Sequence, residues 1–430
     1  MARSRHRLLG LVLGALVLAA PLGACSRGSA GPTEPRPTEA EPAPTRGSAP
    51  ALGYHLAGYG LEDRATDGGP ASADLADVPA GKPGELVSSA PVTAPDGIRA
   101  WRVVYHSRGP QNEDRLVTGL VLAPPADSPV PPGGRPLVSF GHGTTGINDA
   151  CAPSRAEPPL STIGGTLRLV RDGYVLAVTD YTGLGGPGEH PIYEADSAAK
   201  ALLDAARAAR SLRPAQAGED VVLWGYSQGG QAALAAGAVA ADYAPDLRVL
   251  GSAATAPLVD LPASLHDMRT LPDGVAYLLL AVTGLAAADP ALSSDAILTA
   301  TGRRLTALAH NRCAGDLLLA STGESVTSVF ARDPLRTEPF ASALERQWQY
   351  VQAPGPPRLV LQGGLDTVIH QATTDRAVSA LCAAGGSVEY HRYGLANHGT
   401  VIDASVDDLS RWVAARFAGA AAPTGICATP

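Results

Sequence analysis

The chain has 430 residues, of which 45% are hydrophobic and 17% are charged, and its formal net charge is −8. A chain of this length and composition can bury a large core, either as one big domain or as two smaller ones. The acidic balance disfavours nucleic acid and anionic lipid surfaces as partners.

The first 24 residues have the pattern of an export signal. Arg3, Arg5 and Arg7 give a basic start, and the apolar run from Leu8 to Ala20 is too short to span a bilayer comfortably. The small residues before Cys25 resemble a bacterial lipobox, in which this cysteine becomes the lipidated first residue of the mature protein. An ordinary cleaved signal with an incidental cysteine is the alternative. Removal of residues 1–24 would take away three arginines and no acid, and would change the net charge from −8 to −11.

Residues 25–52 are predicted to be a flexible tether. The segment is rich in Pro, Thr, Glu, Ser and Gly and has almost no large apolar residue, so burial cannot offset the entropy lost on ordering it. The tether would hold the following domain, residues 53–430, off a membrane. We therefore expect an exported protein that is either anchored to the outer face of the cell membrane or secreted.

Four cysteines follow Cys25, and an even count in an exported chain favours two disulfides. Their spacing includes no CxxC pair or histidine cluster of the kind that binds zinc, so we expect no metal site. Three pairings are possible from the sequence among Cys151, Cys313, Cys382 and Cys427.

The pattern of apolar residues predicts an α/β fold. Two β-type runs, Ile98 to His106 and Leu116 to Ala123, flank a polar segment and predict an antiparallel start to a sheet. Buried strands then alternate with helices, which indicates a mostly parallel sheet covered on both faces. The predicted elements are strand Pro136 to Phe140, helix Ser161 to Asp172, strand Tyr174 to Thr179, helix Ala195 to Arg210, strand Val221 to Trp224, helix Gln228 to Ala241 and strand Arg248 to Ala253.

The alternation lapses over residues 257–354. Helical, proline-broken and apolar stretches such as Tyr277 to Val282 predict an insertion that caps the carboxyl ends of the strands, where active-site loops lie. An extra helical layer remote from the chemistry is the alternative. Strands and helices then resume with Arg358 to Gln362, Gln371 to Ala383, Ser387 to Arg392 and a last helix, Asp403 to Phe417.

The stretch from Val221 to Gln231 is a strand, turn and helix of the kind that presents a nucleophilic serine. Gly225 and Gly229 lack the Cβ atoms that would clash in so sharp a turn. Ser227 can therefore project its hydroxyl ahead of the helix and is the candidate nucleophile. A Gly-x-Ser-x-Gly string also arises by chance in a chain with 48 glycines, so the strand before it and the helix after it carry the prediction.

A serine hydroxyl needs a histidine to take its proton and a carboxylate to hold the tautomer of that histidine. Asp366 follows one predicted strand and His398 follows the next, and the order Ser, Asp, His is that of the α/β-hydrolase arrangement. Asp180 is a rival acid, but it precedes the serine and is expected to brace its own loop. The rival bases are His190, His266, His310, His370 and His391.

A tetrahedral intermediate also needs donors for its negatively charged oxygen. The glycine-rich loop Gly141 to Gly146 follows a predicted strand and occupies the place that supplies one backbone N–H in this fold. Either Gly143 or Thr144 is the candidate donor, and Gln228, directly after the serine, is the candidate for the second. A turn that serves only the strand-to-helix geometry is the alternative.

These motifs together resemble the secretory lipase family, which includes fungal lipase A-type enzymes and many actinobacterial relatives. The resemblance runs from about Gly81 to the C-terminus, and Asp180-Tyr181-x-Gly183-Leu184-Gly185 distinguishes the family from generic esterases. The other motifs that carry it are Gly141-His142-Gly143-Thr144, Gly225-Tyr226-Ser227-Gln228-Gly229-Gly230, and Asp366 with His398.

The resemblance implies an α/β-hydrolase fold with a helical lid between the serine and the acid. It implies hydrolysis of acylglycerols or other carboxylic esters by Ser227, Asp366 and His398, without a cofactor. It also implies the disulfides Cys151–Cys313 and Cys382–Cys427. The fungal enzymes carry an acidic side chain in the oxyanion loop. This chain has no Asp or Glu between Gly141 and Asn148, and Thr144 is the candidate hydroxyl donor instead.

We therefore expect a serine lipase or carboxylesterase whose substrate is an ester or lipid. It would contact a membrane through its N-terminal anchor, and we expect no nucleic acid and no obligate protein partner. An acyltransferase or peptidase with the same triad is the alternative within enzymes, because the serine turn does not determine the leaving group. A non-catalytic surface lipoprotein that binds lipid is the alternative outside them.

Overall fold

The computed structural model describes residues 75, 77–156, 160–353, 355–421 and 427. The predicted signal (residues 1–24), the lipidation candidate Cys25 and the predicted tether (residues 25–52) lie outside these residues. Within the described ranges, no helix is long and apolar enough to cross a membrane.

The centre of the fold is one sheet, to which the described residues contribute nine strands. In chain order these are β1 (Leu86–Val92), β2 (Arg99–Arg108), β3 (Asp114–Ala123), β4 (Arg135–Gly141), β5 (Val175–Thr179), β6 (Ala217–Tyr226), β7 (Arg248–Thr255), β8 (Arg358–Gly363) and β9 (Val388–Tyr393). Their order across the sheet is β1-β2-β3-β5-β4-β6-β7-β8-β9. Along this order, the three pairs that join β1, β2, β3 and β5 are antiparallel, and the five pairs from β5 through β4 to β9 are parallel. This mostly parallel sheet confirms the predicted fold class.

Helices cover both faces of this sheet. In chain order they are α1 (Leu167–Arg171), α2 (Ala195–Ser211), α3 (Gln228–Tyr243), α4 (Leu261–Met268), α5 (Val275–Ala288), α6 (Ala300–Ala309), α7 (Ala314–Ser321), α8 (Val326–Val329), α9 (Phe340–Gln352), α10 (Gln371–Ala383) and α11 (Val401–Phe417). Val221 and Leu223 of β6 pack with α2 and α3, whereas Val222 and Trp224 pack with α1 and α11. Burial on both faces explains why the apolar run of β6 is continuous rather than alternating.

One predicted helix is shorter in the structure, and one observed strand was not predicted. The predicted helix from Ser161 to Asp172 is α-helical only over α1, because Ser161–Thr166 forms 3-10 turns with non-helical torsions at Ile163 (φ −124°). The strand β1 was not predicted. It pairs with β2 at the edge of the sheet and is exposed from Ser88 to Pro91, so it lacks the apolar alternation that identifies a half-buried strand.

The helices α4 to α9 lie between β7 and β8, and we call them the cap. Their apolar side chains form one buried cluster with residues from four loops at the carboxyl ends of the strands or just before α2. Helix α5 is apolar on nearly all sides, as expected of a helix enclosed by others. The residues of the cluster that come from these loops are Ile147, Ile192, Tyr193, Leu258, Val368 and Ile369. The cap is therefore seated on the edge of the sheet at which the candidate site lies.

Two disulfides join distant segments. Cys151, in the loop after β4, is bonded to Cys313 at the start of α7, with the Cα atoms 5.5 Å apart. Cys382, near the end of α10, is bonded to Cys427, with the Cα atoms 5.0 Å apart. These are the two pairs that the family resemblance implied, and the first one ties the cap to the loop after β4.

Candidate active site

Ser227 lies in a strained turn between β6 and α3. Its torsions are φ 54° and ψ −116°, in a region that residues with a side chain rarely adopt. Backbone hydrogen bonds hold it there: its N–H donates to the carbonyl of Thr255 at 3.0 Å, and its carbonyl accepts from Gly230 and Leu258, each at 2.9 Å, and from Gln231 at 3.4 Å. A constraint of this kind, imposed from neighbouring elements, is what keeps a strained residue in place.

Two glycines in this turn are required by close backbone approach. A Cβ atom on Gly225 would lie 1.8 Å from the carbonyl oxygen of Gly229, and one on Gly229 would lie 1.8 Å from that of Gly141. Neither contact is possible without a backbone shift. The glycines thus let β6, the start of α3 and the oxyanion loop, Gly141 to Gly146, pack directly on one another.

The structure brings the three residues of the predicted triad together. His398 Nε2 lies 3.1 Å from Ser227 Oγ, and His398 Nδ1 lies 2.7 Å from Asp366 Oδ2. All three residues are buried, with exposed fractions of 7% for Ser227, 5% for Asp366 and 8% for His398. This geometry matches the hydrogen-bonded path that general-base activation of a serine requires.

Further donors fix the carboxylate of Asp366. Its Oδ1 atom accepts from the backbone N–H groups of Val368 at 2.9 Å and Ile369 at 2.8 Å. Its Oδ2 atom accepts from Gln362 Nε2 at 3.2 Å as well as from His398. Gln362 was not singled out in the sequence, and it is itself held because its Oε1 accepts from Thr374 at 2.8 Å.

The loop that carries His398 is anchored to the strand that carries the serine. Tyr226, the residue before Ser227, donates its hydroxyl to the carbonyl oxygen of His398 at 2.7 Å. The two rings lie 4.9 Å apart between centroids, at 44°. Tyr226 therefore contributes to the placement of the histidine, a role that the sequence did not indicate.

The oxyanion loop lies against the N-terminus of α3. Gln228 is the first residue of that helix, and the first N–H groups of a helix have no partner within it and carry a partial positive charge. The hydroxyl of Thr144 lies 2.8 Å from that of Tyr193 and 3.3 Å from Gln228 Oε1. Gly143 and Thr144 both remain candidate N–H donors, and Tyr193 is a neighbour that the sequence did not indicate.

The rival residues have partners of their own. Asp180 accepts from the hydroxyl of Thr118 at 2.7 Å and from the N–H of Ser154 at 3.0 Å, and burial raises its pKa. It braces its loop, as expected.

The rival histidines contact other groups. His190 bonds the carbonyl of Thr182, His266 contacts Arg269, and His370 faces Asp267. His391 lies between Glu389 and Asp408, and the carbonyl of His310 accepts from Asn148.

A buried aromatic group supports the oxyanion loop from below. Tyr181 donates its hydroxyl to the carbonyl of His142 at 2.8 Å, and its ring lies 4.7 Å from that of His142 and 6.0 Å from that of His190. Burial lowers the pKa of both histidines to about 4. These imidazoles are therefore neutral packing groups at physiological pH.

As for metals, the described residues contain no group of three or more His, Cys, Asp or Glu that could hold an ion.

The sheet order, the cap and the strained serine turn define an α/β-hydrolase. Comparison with known proteins narrows the class. A model of the secretory lipase family matches residues 165–425, and the chain belongs to this family.

Two relatives are similar in sequence. A protein of Mycobacterium tuberculosis (strain CDC 1551 / Oshkosh) named as a probable inactive lipase is 26% identical over 348 residues, which cover 76% of this chain and 75% of the relative. Lipase A of Moesziomyces aphidis is 27% identical over 247 residues, which cover 54% of this chain and 52% of the relative.

Solved structures share the fold. Lipase A of Candida antarctica has a TM-score of 0.69 at 22% identity, with 81% of this chain and 85% of that chain covered. LipA of Xanthomonas oryzae, described as a rice cell wall degrading esterase, has a TM-score of 0.64 at 21% identity, with 78% and 98% covered. Family and fold together support the lipase and esterase class of hydrolases, and the family with the two disulfides supports export.

Proposed function

We propose that the protein hydrolyses carboxylic esters, acylglycerols among them, through an acyl-enzyme on Ser227. The observation that carries this proposal is the continuous path from Asp366 through His398 to the serine hydroxyl, with contacts of 2.7 and 3.1 Å. It lies at the carboxyl ends of β6, β8 and β9, where this fold places its chemistry.

The reaction follows from the positions of these groups. Ser227 Oγ attacks the ester carbonyl carbon while His398 Nε2 takes its proton, and Asp366 stabilises the resulting imidazolium. The N–H of Gln228 and one N–H of the oxyanion loop, from Gly143 or Thr144, donate to the negatively charged oxygen. The tetrahedral intermediate collapses, and the departing alcohol receives the proton from His398. Water then attacks the acyl-enzyme by the same sequence and releases the acid.

Turnover of para-nitrophenyl butyrate, and its loss in Ser227→Ala, tests the proposal. A phosphonate that labels the serine covalently gives a second readout by intact mass, because labelling needs the activated hydroxyl but no turnover. The experiment also tests the non-catalytic alternative, because the mycobacterial relative is named as a probable inactive lipase. Absence of both turnover and labelling in the unmodified protein would favour a lipid-binding lipoprotein. Faster cleavage of a matched amide, or transfer to an added alcohol in preference to water, would favour the peptidase or acyltransferase alternative.

The cap is apolar, which supports the proposal that the substrate carries an acyl chain and that this chain binds against the cap. Val368 and Ile369, two and three residues after Asp366, belong to the same buried cluster as the cap helices, and Tyr277 of α5 packs against that cluster. Burial raises the pKa of Tyr277, and the nearby carboxylates of Asp273 and Asp366 raise it further.

Tyr277→Ser should therefore change the ratio of long-chain to short-chain ester hydrolysis. Leu319→Ser is the matched control, because Leu319 lies in the same cap with 59% of its surface exposed. An unchanged ratio in a folded Tyr277 variant would indicate that the cap is only an extra structural layer.

We also propose that the exported protein is anchored by lipidation of Cys25. The basic start, the apolar run and the small residues before this cysteine support the proposal. Cys25→Ser should be released from the membrane fraction and keep its specific activity, because lipidation needs the thiol. Ser26→Ala is the control that leaves the thiol in place. Unchanged membrane retention of the Cys25 variant would contradict the anchor.

A further inference from the structure

Thr144 differs from its neighbours in the oxyanion loop. It is half-buried, whereas residues 141–143 and 145–147 on either side of it are buried. Its hydroxyl oxygen lies 3.3 Å from Oε1 of Gln228, the residue that follows the nucleophile, and 2.8 Å from the hydroxyl of Tyr193. A chain of three polar side chains therefore runs along the N-terminus of α3, beside the candidate N–H donors.

The direction of this chain follows from its chemistry. An amide oxygen only accepts, so Thr144 donates its single hydroxyl hydrogen to Gln228. The hydrogen between Thr144 and Tyr193 must then come from the phenol. Tyr193 is 2% exposed, and burial raises its pKa well above the ordinary value for a phenol. The phenol thus keeps its hydrogen throughout the pH range in which an enzyme works.

Tyr193 has a strained backbone conformation and lies just before α2, beside α3. Its φ of 67° lies in the left-handed region, which a large aromatic residue rarely adopts. Its carbonyl accepts from Gln231 of α3 at 3.4 Å. The next residue, Glu194, caps α2 by accepting from the N–H groups of Asp196 at 3.1 Å and Ser197 at 2.8 Å. Strain of this kind concentrates at functional sites.

We propose that the hydroxyl of Thr144 is an additional donor to the oxyanion, and that Tyr193 is the positioning residue that holds this hydroxyl. The inference rests on the proposed ester hydrolysis. In the resting enzyme the hydroxyl hydrogen points at Gln228 over a long contact. When the oxyanion forms, rotation about the Cβ–Oγ bond turns that hydrogen to the negative oxygen, while Tyr193 continues to donate to Oγ. No proton is transferred between residues in this step.

The rotation favours the transition state over the bound substrate. A negatively charged oxygen accepts a shorter and stronger hydrogen bond than a neutral carbonyl does. When the hydroxyl of Thr144 stops donating to Gln228 and donates to the oxyanion, the free energy falls only after charge has developed on that oxygen. The change of acceptor therefore raises kcat rather than lowering KM. Tyr193 acts through Thr144 alone, since its hydroxyl donates to the threonine oxygen.

Four variants test the proposal. Thr144→Val keeps the shape and removes the hydroxyl, and it should lower kcat by about 10- to 100-fold with KM unchanged within about twofold. Inhibition by a trifluoromethyl ketone, whose adduct with Ser227 carries an oxyanion, should weaken by the same factor. Thr144→Ser should retain most of the activity. Tyr193→Phe should lower kcat by about 3- to 10-fold on its own and cause no further loss when combined with Thr144→Val.

A second tyrosine–threonine pair supplies the control. Tyr105 in β2 donates its hydroxyl to Thr179 at 2.7 Å, and both residues are buried. β2 lies four strand positions from β6, about 19 Å at the usual strand spacing. Tyr105→Phe should lower thermal stability and leave kcat and the inhibitor affinity unchanged, which separates loss of a buried hydroxyl from loss of oxyanion stabilisation.

The outcomes that would overturn the proposal are distinct. If the losses in Tyr193→Phe and Thr144→Val multiply in the double variant, Tyr193 does not act through the threonine. If Thr144→Val binds the trifluoromethyl ketone as tightly as the unmodified enzyme does, its hydroxyl is not a donor. If the unmodified protein neither turns over esters nor is labelled at Ser227, the proposed function itself fails and the donor role falls with it.

Discussion

Replacement of Asp366 by asparagine would test the carboxylate more sharply than its deletion, because the structure determines which way the amide must turn. Two backbone N–H groups, those of Val368 and Ile369, donate to Oδ1. Only an oxygen can accept them, so the asparagine places its carbonyl oxygen there. Its NH₂ group then occupies the position of Oδ2, where it faces Nδ1 of His398 and Nε2 of Gln362.

This orientation imposes the wrong tautomer on His398. With an N–H donor opposite it, Nδ1 must accept, and the ring hydrogen moves to Nε2, which then cannot take the proton of Ser227. A reversed tautomer in a serine–histidine pair lowers kcat about ten-thousandfold, equivalent to about 5.5 kcal/mol. Stability changes much less. Gln362 loses one acceptor but keeps its contacts with the carbonyls of Gly363 and Ile369, so we expect a cost of about 1 kcal/mol.

The assay compares kcat on para-nitrophenyl butyrate with the midpoint of thermal unfolding. Asp114→Asn is the matched control, because Asp114 pairs with His106 at 3.0 Å in a carboxylate–histidine contact on β2 and β3, remote from the serine. It should leave kcat unchanged. Retention of more than about 1% of kcat in Asp366→Asn would refute the tautomer argument. An equal loss in the control would assign the effect to general destabilisation.

Three further predictions concern the serine, its turn and acid stability. Ser227→Ala, His398→Ala and the double variant should fall to similar residual rates, because residues that act as a unit give non-additive losses; multiplied losses would mean that they act independently. Gly229→Ala places a Cβ atom 1.8 Å from a carbonyl oxygen of the oxyanion loop and should lower the thermal midpoint strongly, whereas Gly394→Ala, with nothing within 4 Å, should not. Burial lowers the pKa of His142 to about 4, so the unfolded chain protonates first as the pH falls; this residue's contribution to stability should be lost between about pH 6.5 and 4. Urea unfolding against pH should show a shallower decline in His142→Gln, and an unchanged profile would contradict the assignment.

The serine turn and the fold class were predictable because their signals are local. The glycines of the turn, the apolar strand before it and the helix after it lie within Val221 to Gln231, and steric contact across a few residues explains them. The strand-end positions of Asp366 and His398 follow from the alternation of elements along the chain.

Other features depend on packing between distant segments. Gln362 contacts Asp366 only because the loop after β8 folds back on the strand end. Tyr193 lies 49 residues from Thr144 in the chain, and no local pattern reveals its positive φ or the contact of its carbonyl with Gln231 of α3. The strand β1 was not predicted for a different reason. It is an exposed edge strand, and such a strand needs no alternation of apolar residues.

The bond between Cys151 and Cys313 has a topological consequence. It closes a covalent loop with a sequence separation of 162 residues, which contains Ser227 and the first cap helices and leaves Asp366 and His398 outside. Closure of a loop of that size removes entropy worth about 5 kcal/mol from the unfolded chain. The turn between α5 and α6 exposes Pro290, Ala291 and Ser293 inside this loop. A protease that cuts there would produce two fragments still joined through sulfur, so a nicked molecule would keep its serine and its histidine in one covalent particle.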